Sequence, residues 1–294
     1  MRNPYLLARE INKLYYTNYK NNSAYGTDIF DEDWDNLIIL DACRYDVFKG
    51  ENYLPGQLQK RVSKASSTVG FLRQNFDGGR FHDTVYVTAN PQLTWKSDFF
   101  ETEFHSVANV WTSSWDEDVQ SVTPQTMERH GKKANERFPN KRLILHFLQP
   151  HFPFIGEYGK SNFETGFASG FWTRVKEGDV SVPKETIWEA YRENLAVVLP
   201  SVEALLETLP GTTIVTSDHG QAFGERSFPL PIREYGHPRE TFMPCLTDVP
   251  WLVYDSGREK HVEAEPPAEA HRDMGRQYDT EQVESRLKQL GYKM

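Results

Sequence analysis

Apolar residues along this chain gather in short, β-branched runs that end on acidic or polar residues. Asn36–Leu40 reads NLIIL, Thr84–Thr88 TVYVT, Arg142–Leu148 RLILHFL and Thr212–Thr216 TTIVT, with a last run around Val249–Tyr254. Continuous runs of this length are the pattern of strands buried on both faces. Helical spacing fills the intervals. Asn3-Pro4 followed by Leu6, Leu7, Ile11, Leu14 and Tyr15 predicts a capped amphipathic helix. Tyr and Asn interrupt its apolar face, so it is expected to pack on the domain and not on a membrane. Thr123-Pro124 opens a polar helix to about Arg137. Pro183 opens another, with helical spacing over Ile187–Leu209 broken near Pro200. Asp279 with Gln282 predicts a cap for a terminal helix through Leu290. Strands alternating with helices predict an α/β fold, a mainly parallel central sheet with helices on both faces.

Two stretches lack periodicity. His151–Val182 is rich in Gly, Phe and Ser and is expected to form a long loop over a site. Ser256–Asp279 is charged and Pro-containing, the composition of an exposed linker. The expected organisation is one catalytic domain over 1–255, with the 3–20 helix packed on it, followed by a charged linker and C-terminal helix over 256–294.

The net charge of −9 on 294 residues disfavours a nucleic-acid binder, which needs a basic footprint. Cys43 and Cys245 make neither a zinc spacing nor a disulfide framework. Residues 1–21 lack a continuous apolar signal region, and no run approaches the ~20 apolar residues of a membrane span. These features predict a soluble, cytoplasmic protein of open oligomeric state.

The chemistry gathers at strand ends. TIVTSDHG delivers Asp218 and His219 together, followed by Gly220, which lets the backbone turn away. NLIILDACRYD releases Asp41 in the same way. Open α/β sheets bind ligands beyond the carboxyl ends of their strands. Two strand-end carboxylates and an imidazole there suit a divalent ion such as Mn²⁺, Mg²⁺ or Zn²⁺. The plainer alternatives are a helix N-cap for Asp41 and a capped turn for Asp218–His219.

The stretches NLIILDACRYDVF, HFLQPHFPF, EAYRENLAVVLPSVEALL, TIVTSDHGQAFGE and YGHPRETFMPCLTDVPWLV together resemble the alkaline phosphatase superfamily, in its sulfatase and phosphoethanolamine or glycerol-phosphate transferase branch. They cover roughly Asn36 to Tyr254, in that family's order. The resemblance implies a three-layer sulfatase-like sandwich and a metal-dependent hydrolase or transferase of phosphate or sulfate esters. It implies a hydroxyl nucleophile opening a helix a few dozen residues after Asp41. SKASSTVGFLRQNF supplies Ser66, Ser67 and Thr68, with Thr68 favoured over Ser67. A helix N-terminus there would hold the transferring anion.

Further roles follow from the same likeness. One divalent ion (Mn, Mg, Ca or Zn) would be held by Asp41, Thr68, Asp218 and His219. His151 would serve catalysis and substrate binding, and His237 substrate binding or a second metal. Arg44 falls in the DxxRxD pattern with Asp46 and is a candidate substrate contact, or a support for the site through an ion pair. The chain departs from the pattern in two places. Gln149 stands where an acidic residue is usual, and no Cys or Ser is followed by the Pro and Arg that formylglycine formation needs. A sulfate-ester hydrolase with an unmodified hydroxyl is therefore the runner-up activity, and a non-catalytic binder of anionic glycans or lipid headgroups a third reading. Small-molecule, glycan or lipid-headgroup esters are the expected partners.

Overall fold

The computed structural model describes residues 4–20, 22–96, 101–163, 170–179, 182–267 and 280–292. Among these residues nine strands form: β1 Asn36–Leu40, β2 Gln57–Val62, β3 Arg80–Thr88, β4 Glu103–Asn109, β5 Arg142–Phe147, β6 Thr212–Thr216, β7 Ala222–Arg226, β8 Arg233–Gly236 and β9 Asp248–Asp255. Seven build one mixed sheet in the order β2-β9-β6-β1-β5-β3-β4, and β7–β8 make a separate hairpin. The five strands from β6 to β4 are parallel, and β9 runs antiparallel to both β6 and β2. Every expected strand lies in this sheet. β2 escaped the apolar pattern because it is an edge strand of sequence QLQKRV, with no fully buried residue.

Alternate residues of the central strands feed two cores. Ile38 and Leu40 join Val87, Leu145 and Val215 on one face. Leu37 and Ile39 join Tyr86, Ile144 and Ile214 on the other. The Lys184–Thr208 helix buries Leu195, Val198, Val202 and Leu205 against the first face. The Thr68–Phe76 helix buries Phe71, Leu72 and Phe76 against the second. Each such side chain contributes roughly 1.5–3 kcal/mol by leaving water. This two-sided burial is why the strand sequences are continuously apolar, and it fixes the register that aligns their carboxyl ends. Ile39 pairs with His146 on one side and Thr216 on the other, so β1, β5 and β6 end level.

Three expectations differ from the fold. The helix over 184–208 runs through Pro200 without a break. Buried neighbours on both sides, including Leu199, Ser201 and Val202, hold it in place. The 151–182 stretch is not one long loop. It carries helices at Glu157–Asn162 and Phe171–Glu177, and its aromatic residues turn inward, with Phe152 and Phe171 stacked at 4.3 Å. Residues 164–169 and 180–181 lie outside the described residues. The N-terminal helix, Pro4–Tyr19, packs on the domain through Tyr16, which joins Ala222, Met243 and Leu246, and through Asn12, not through its leucines. Asn12 is 1% exposed, donates to Ser227 Oγ and the Leu230 carbonyl, and accepts from the Leu230 N–H. Leu7 and Leu14 face outward at 56% and 62% exposure. A buried amide with full hydrogen bonding outweighs the leucine stripe here.

The C-terminal helix, Thr280–Gln289, is part of the same core. Val283, Leu287 and Leu290 are buried among the residues of the first face. Asp279, expected to cap it, lies outside the described residues. Among the described residues, no helix is long and apolar enough to cross a membrane.

Candidate active site

Asp41, Asp218 and His219 come together at the carboxyl ends of β1 and β6, all fully buried. The turn after β1 is sharp: Ala42 adopts φ 60°, a left-handed conformation that costs a non-glycine residue about 1 kcal/mol or more. It aims the Ala42 N–H at Asp218 Oδ1, 3.0 Å away, and the His219 N–H reaches the same oxygen at 2.9 Å. Asn90, just beyond β3, donates to Asp41 Oδ2 at 2.7 Å. Each carboxylate thus commits one oxygen to the protein. The others, Asp41 Oδ1 and Asp218 Oδ2, have no hydrogen-bond partner.

His219 is oriented by its own turn. Its Nδ1 lies 2.7 Å from the Gly220 carbonyl, which can only accept, so Nδ1 carries the proton and Nε2 presents its lone pair. That Nε2 lies 3.3 Å from Asp218 Oδ2, 3.6 Å from Asp41 Oδ1 and 3.2 Å from Thr68 Oγ1. Gly220 is required by close approach, since a Cβ there would meet the Cys245 carbonyl oxygen at 2.2 Å. Thr68 is the first residue of its helix and 1% exposed. Ser67 occupies the N-cap position in extended conformation and makes no capping bond with its side chain. Thr68 therefore faces the carboxylates, not the helix end. Ser66 is tied to the Pro238 carbonyl at 2.9 Å.

This donor set fits a divalent ion. Ligand atoms held ~2.0–2.1 Å from a tetrahedral ion are about 3.3 Å from one another, close to the 3.2, 3.3 and 3.6 Å separations around His219 Nε2. Two carboxylates buried face to face repel unless a cation or a proton lies between them. Burial first, and then Asp218, push the Asp41 carboxyl well above its usual range. Asp218 stays below its usual range despite burial, held there by His219, His146 and the Ala42 N–H. In the absence of an ion, Asp41 is the member that takes the proton.

Sequence reasoning missed His146. It sits on β5 with Nε2 unpartnered, 3.9 Å from Asp218 Oδ2, and its Nδ1 lies 2.7 Å from the Tyr86 hydroxyl. Asp41, His146 and Asp218 each offer an atom within 4.8 Å of the others, a grouping of three that takes in His146 and not His219. The signal was a lone imidazole inside the apolar run RLILHFL. Asn90, which orients Asp41, gave no signal.

His151 and His237 continue from the carboxylates as a row of rings. The centroids of His219 and His237 are 4.7 Å apart, and those of His237 and His151 5.0 Å. His151 Nδ1 lies 2.5 Å from the Phe152 carbonyl, leaving Nε2 as a buried acceptor with no partner. Burial, with His219 nearby, pushes His151 down to about 4, and His237 is likewise driven well below its usual value by burial, His219 and His151. Both imidazoles are neutral at pH 7. Tyr292, from the chain end, stacks on His151 at 5.8 Å with planes 9° apart.

The candidate Arg44 and the departure at Gln149 both point elsewhere. Arg44 forks onto Asp46 at 2.8 and 2.6 Å, and reaches Glu225 at 2.5 Å and the Gln221 carbonyl at 3.2 Å. It lines a separate cleft with Asp46, Glu225 and Pro244. Its guanidinium supports the site through ion pairs and is not presented to the Thr68 cleft. Gln149 donates to Ser121 Oγ and the Val122 carbonyl, away from the carboxylates. Cys43 is a buried, free thiol.

No family model and no curated protein matches the chain. Solved structures do. The integral membrane lipooligosaccharide phosphoethanolamine transferase A from Neisseria meningitidis is 12% identical with a TM-score of 0.47, covering 74% of this chain and 47% of its own. The chain thus spans about half the length of that protein. The C-terminal periplasmic domain of EcEptC from Escherichia coli, in complex with Zn, is 14% identical with a TM-score of 0.46, covering 78% of this chain and 75% of its own. A 2-O GAG sulfatase is 12% identical with a TM-score of 0.46, covering 79% of this chain and 65% of its own.

Proposed function

We propose that this protein is a metal-dependent hydrolase or transferase of phosphate esters with Thr68 as nucleophile. The observation that carries the reading is the convergence of Thr68 Oγ1, His219 Nε2, Asp41 Oδ1 and Asp218 Oδ2 at one buried point. Asp41, Asp218, His219 and Thr68 would hold one divalent ion, with His146 close enough to join them. Such an ion, when bound, lowers the pKa of an adjacent hydroxyl and polarises the ester oxygen.

Thr68 Oγ then attacks phosphorus in line, and the bond to the leaving alcohol breaks as a phosphothreonine forms. The free N–H groups at the start of the Thr68–Phe76 helix face the transferring anion. His151 is fitted for the second half. Its neutral Nε2 is an acceptor, so it would take the proton from the water or alcohol that attacks the phosphothreonine. This narrows the expectation that His151 serves both catalysis and substrate binding, because an acceptor nitrogen cannot donate to phosphate oxygens.

A plain threonine suits phosphoryl transfer better than sulfate-ester chemistry by formylglycine, since the motif for that modification is missing. Thr68→Ala is expected to lower turnover of p-nitrophenyl phosphate by at least ~10³-fold, the scale of losing a covalent nucleophile, with metal content retained. Full activity in that variant overturns the nucleophile.

A further inference from the structure

A cleft of about 380 Å³ opens over Thr68, and its walls hold more donors than the reacting group needs. Arg9 and Lys13 reach it from the N-terminal helix, Gln92 from beyond β3, Arg239 from after β8, and Tyr292 from the chain end. Gln92 is 1% exposed, yet its Nε2 has no hydrogen-bond partner, and the Tyr292 hydroxyl lies between Gln92 and Thr68. A buried donor left unpaired costs roughly 1–3 kcal/mol, so such atoms mark a place where an acceptor belongs.

The charges agree with the donors. Lys13 is paired with Glu240 at 2.6 Å. Arg9 and Arg239 have no ion pair among the described residues. Burial and Arg239 push the Lys96 ammonium down, and burial and Arg9 do the same to Lys176. Arg9, Lys13 and Arg239 line this cleft against one carboxylate, Glu10, in a chain whose net charge is −9. Arg9 also stands where this cleft meets a smaller one of about 170 Å³, which shares His237, Pro238 and Tyr292. An excess of like charge around a concave wall raises the local concentration of anions.

We propose that this rim is a subsite for a second anionic group, so that the ester acted on at Thr68 carries a further phosphate or carboxylate beyond the scissile one. Arg9 and Arg239 supply the charge, in a fork geometry that suits an oxyanion. Gln92 Nε2 supplies a neutral donor. The inference rests on the phosphate-ester reading above and adds the substrate class to it.

The test compares propyl phosphate with propane-1,3-diyl bisphosphate, which share a carbon chain and differ by one phosphate. Binding of each to the metal-loaded wild-type chain and to its Arg9→Ala/Arg239→Ala variant is read by calorimetry. The bisphosphate is expected to bind about tenfold more tightly than the monophosphate, and the double variant to lose most of that ratio. Phosphatidylcholine vesicles with and without phosphatidic acid separate the sources: recruitment by phosphatidic acid that needs the two arginines supports the subsite in its lipid form. Monophosphate binding with no advantage for the bisphosphate overturns the subsite and leaves the phosphate-ester reading standing. Equal losses for both ligands in the double variant also overturn the subsite. Failure of both ligands to bind metal-loaded protein overturns both readings.

Discussion

The floor of the cleft and its rim are built by opposite means. The floor consists of Asp41, Asp218 and His219, carried on strand ends whose register is set by two apolar cores. The rim consists of Arg9, Gln92, Arg239 and Tyr292, brought from both ends of the chain, the short Gln92–Trp95 helix and one loop. The floor is rigid because its backbone is the end of a sheet, and each carboxylate has one oxygen pinned. The rim depends on how two helices dock. Precision of position belongs where bonds are made, and adjustable contacts belong where a substrate is selected.

The largest effect should come from the floor. Asp218→Asn removes a charged ligand while keeping the N–H contacts to Oδ1. It is expected to abolish metal binding and to lower ester turnover by ~10³-fold or more, read by metal analysis and initial rates. Full metal content in that variant would break the contrast at its strongest point.

His146→Gln is a smaller step. If His146 contributes a ligand or orients one, metal affinity should fall about 10–100-fold, with the fold intact by circular dichroism. Unchanged affinity would assign His146 to the core alone, as the partner of Tyr86.

The legibility of the site follows the same division. Asp41 and Asp218–His219 could be read because a buried strand must be apolar, so a carboxylate at its end stands out. Thr68 and the two outer histidines became readable through motif resemblance. His146 was hidden by its surroundings, since an imidazole within an apolar strand looks like core. Tyr292 and Arg9 were hidden for another reason. Their place depends on where terminal helices dock, and local pattern carries no such information. The N-terminal helix shows this plainly: its leucines suggested the packed face, while Asn12 and Tyr16 are what the domain buries.

The smallest effect is one of stability against pH. His151 titrates near 4 when folded, against about 6.5 unfolded. Between those values the unfolded chain binds a proton that the folded chain does not. Stability of the metal-free protein should be full above pH 6.5 and fall as pH drops toward 4, with a slope from this residue of up to ~1.4 kcal/mol per pH unit. His151→Asn should flatten the urea midpoint profile over that window by about one proton. An unchanged slope would mean that His151 is more open than the buried floor beside it.

The central claim is that one ion and one ester meet at Thr68, Asp41, Asp218 and His219. The most direct measurement is a crystal structure of the metal-loaded protein with vanadate, with the ion located by anomalous scattering. The account predicts an ion bound by Asp41, Asp218 and His219, with Thr68 Oγ directed at vanadium. An ion bound away from these residues, or vanadate held with Thr68 turned from it, would contradict the account.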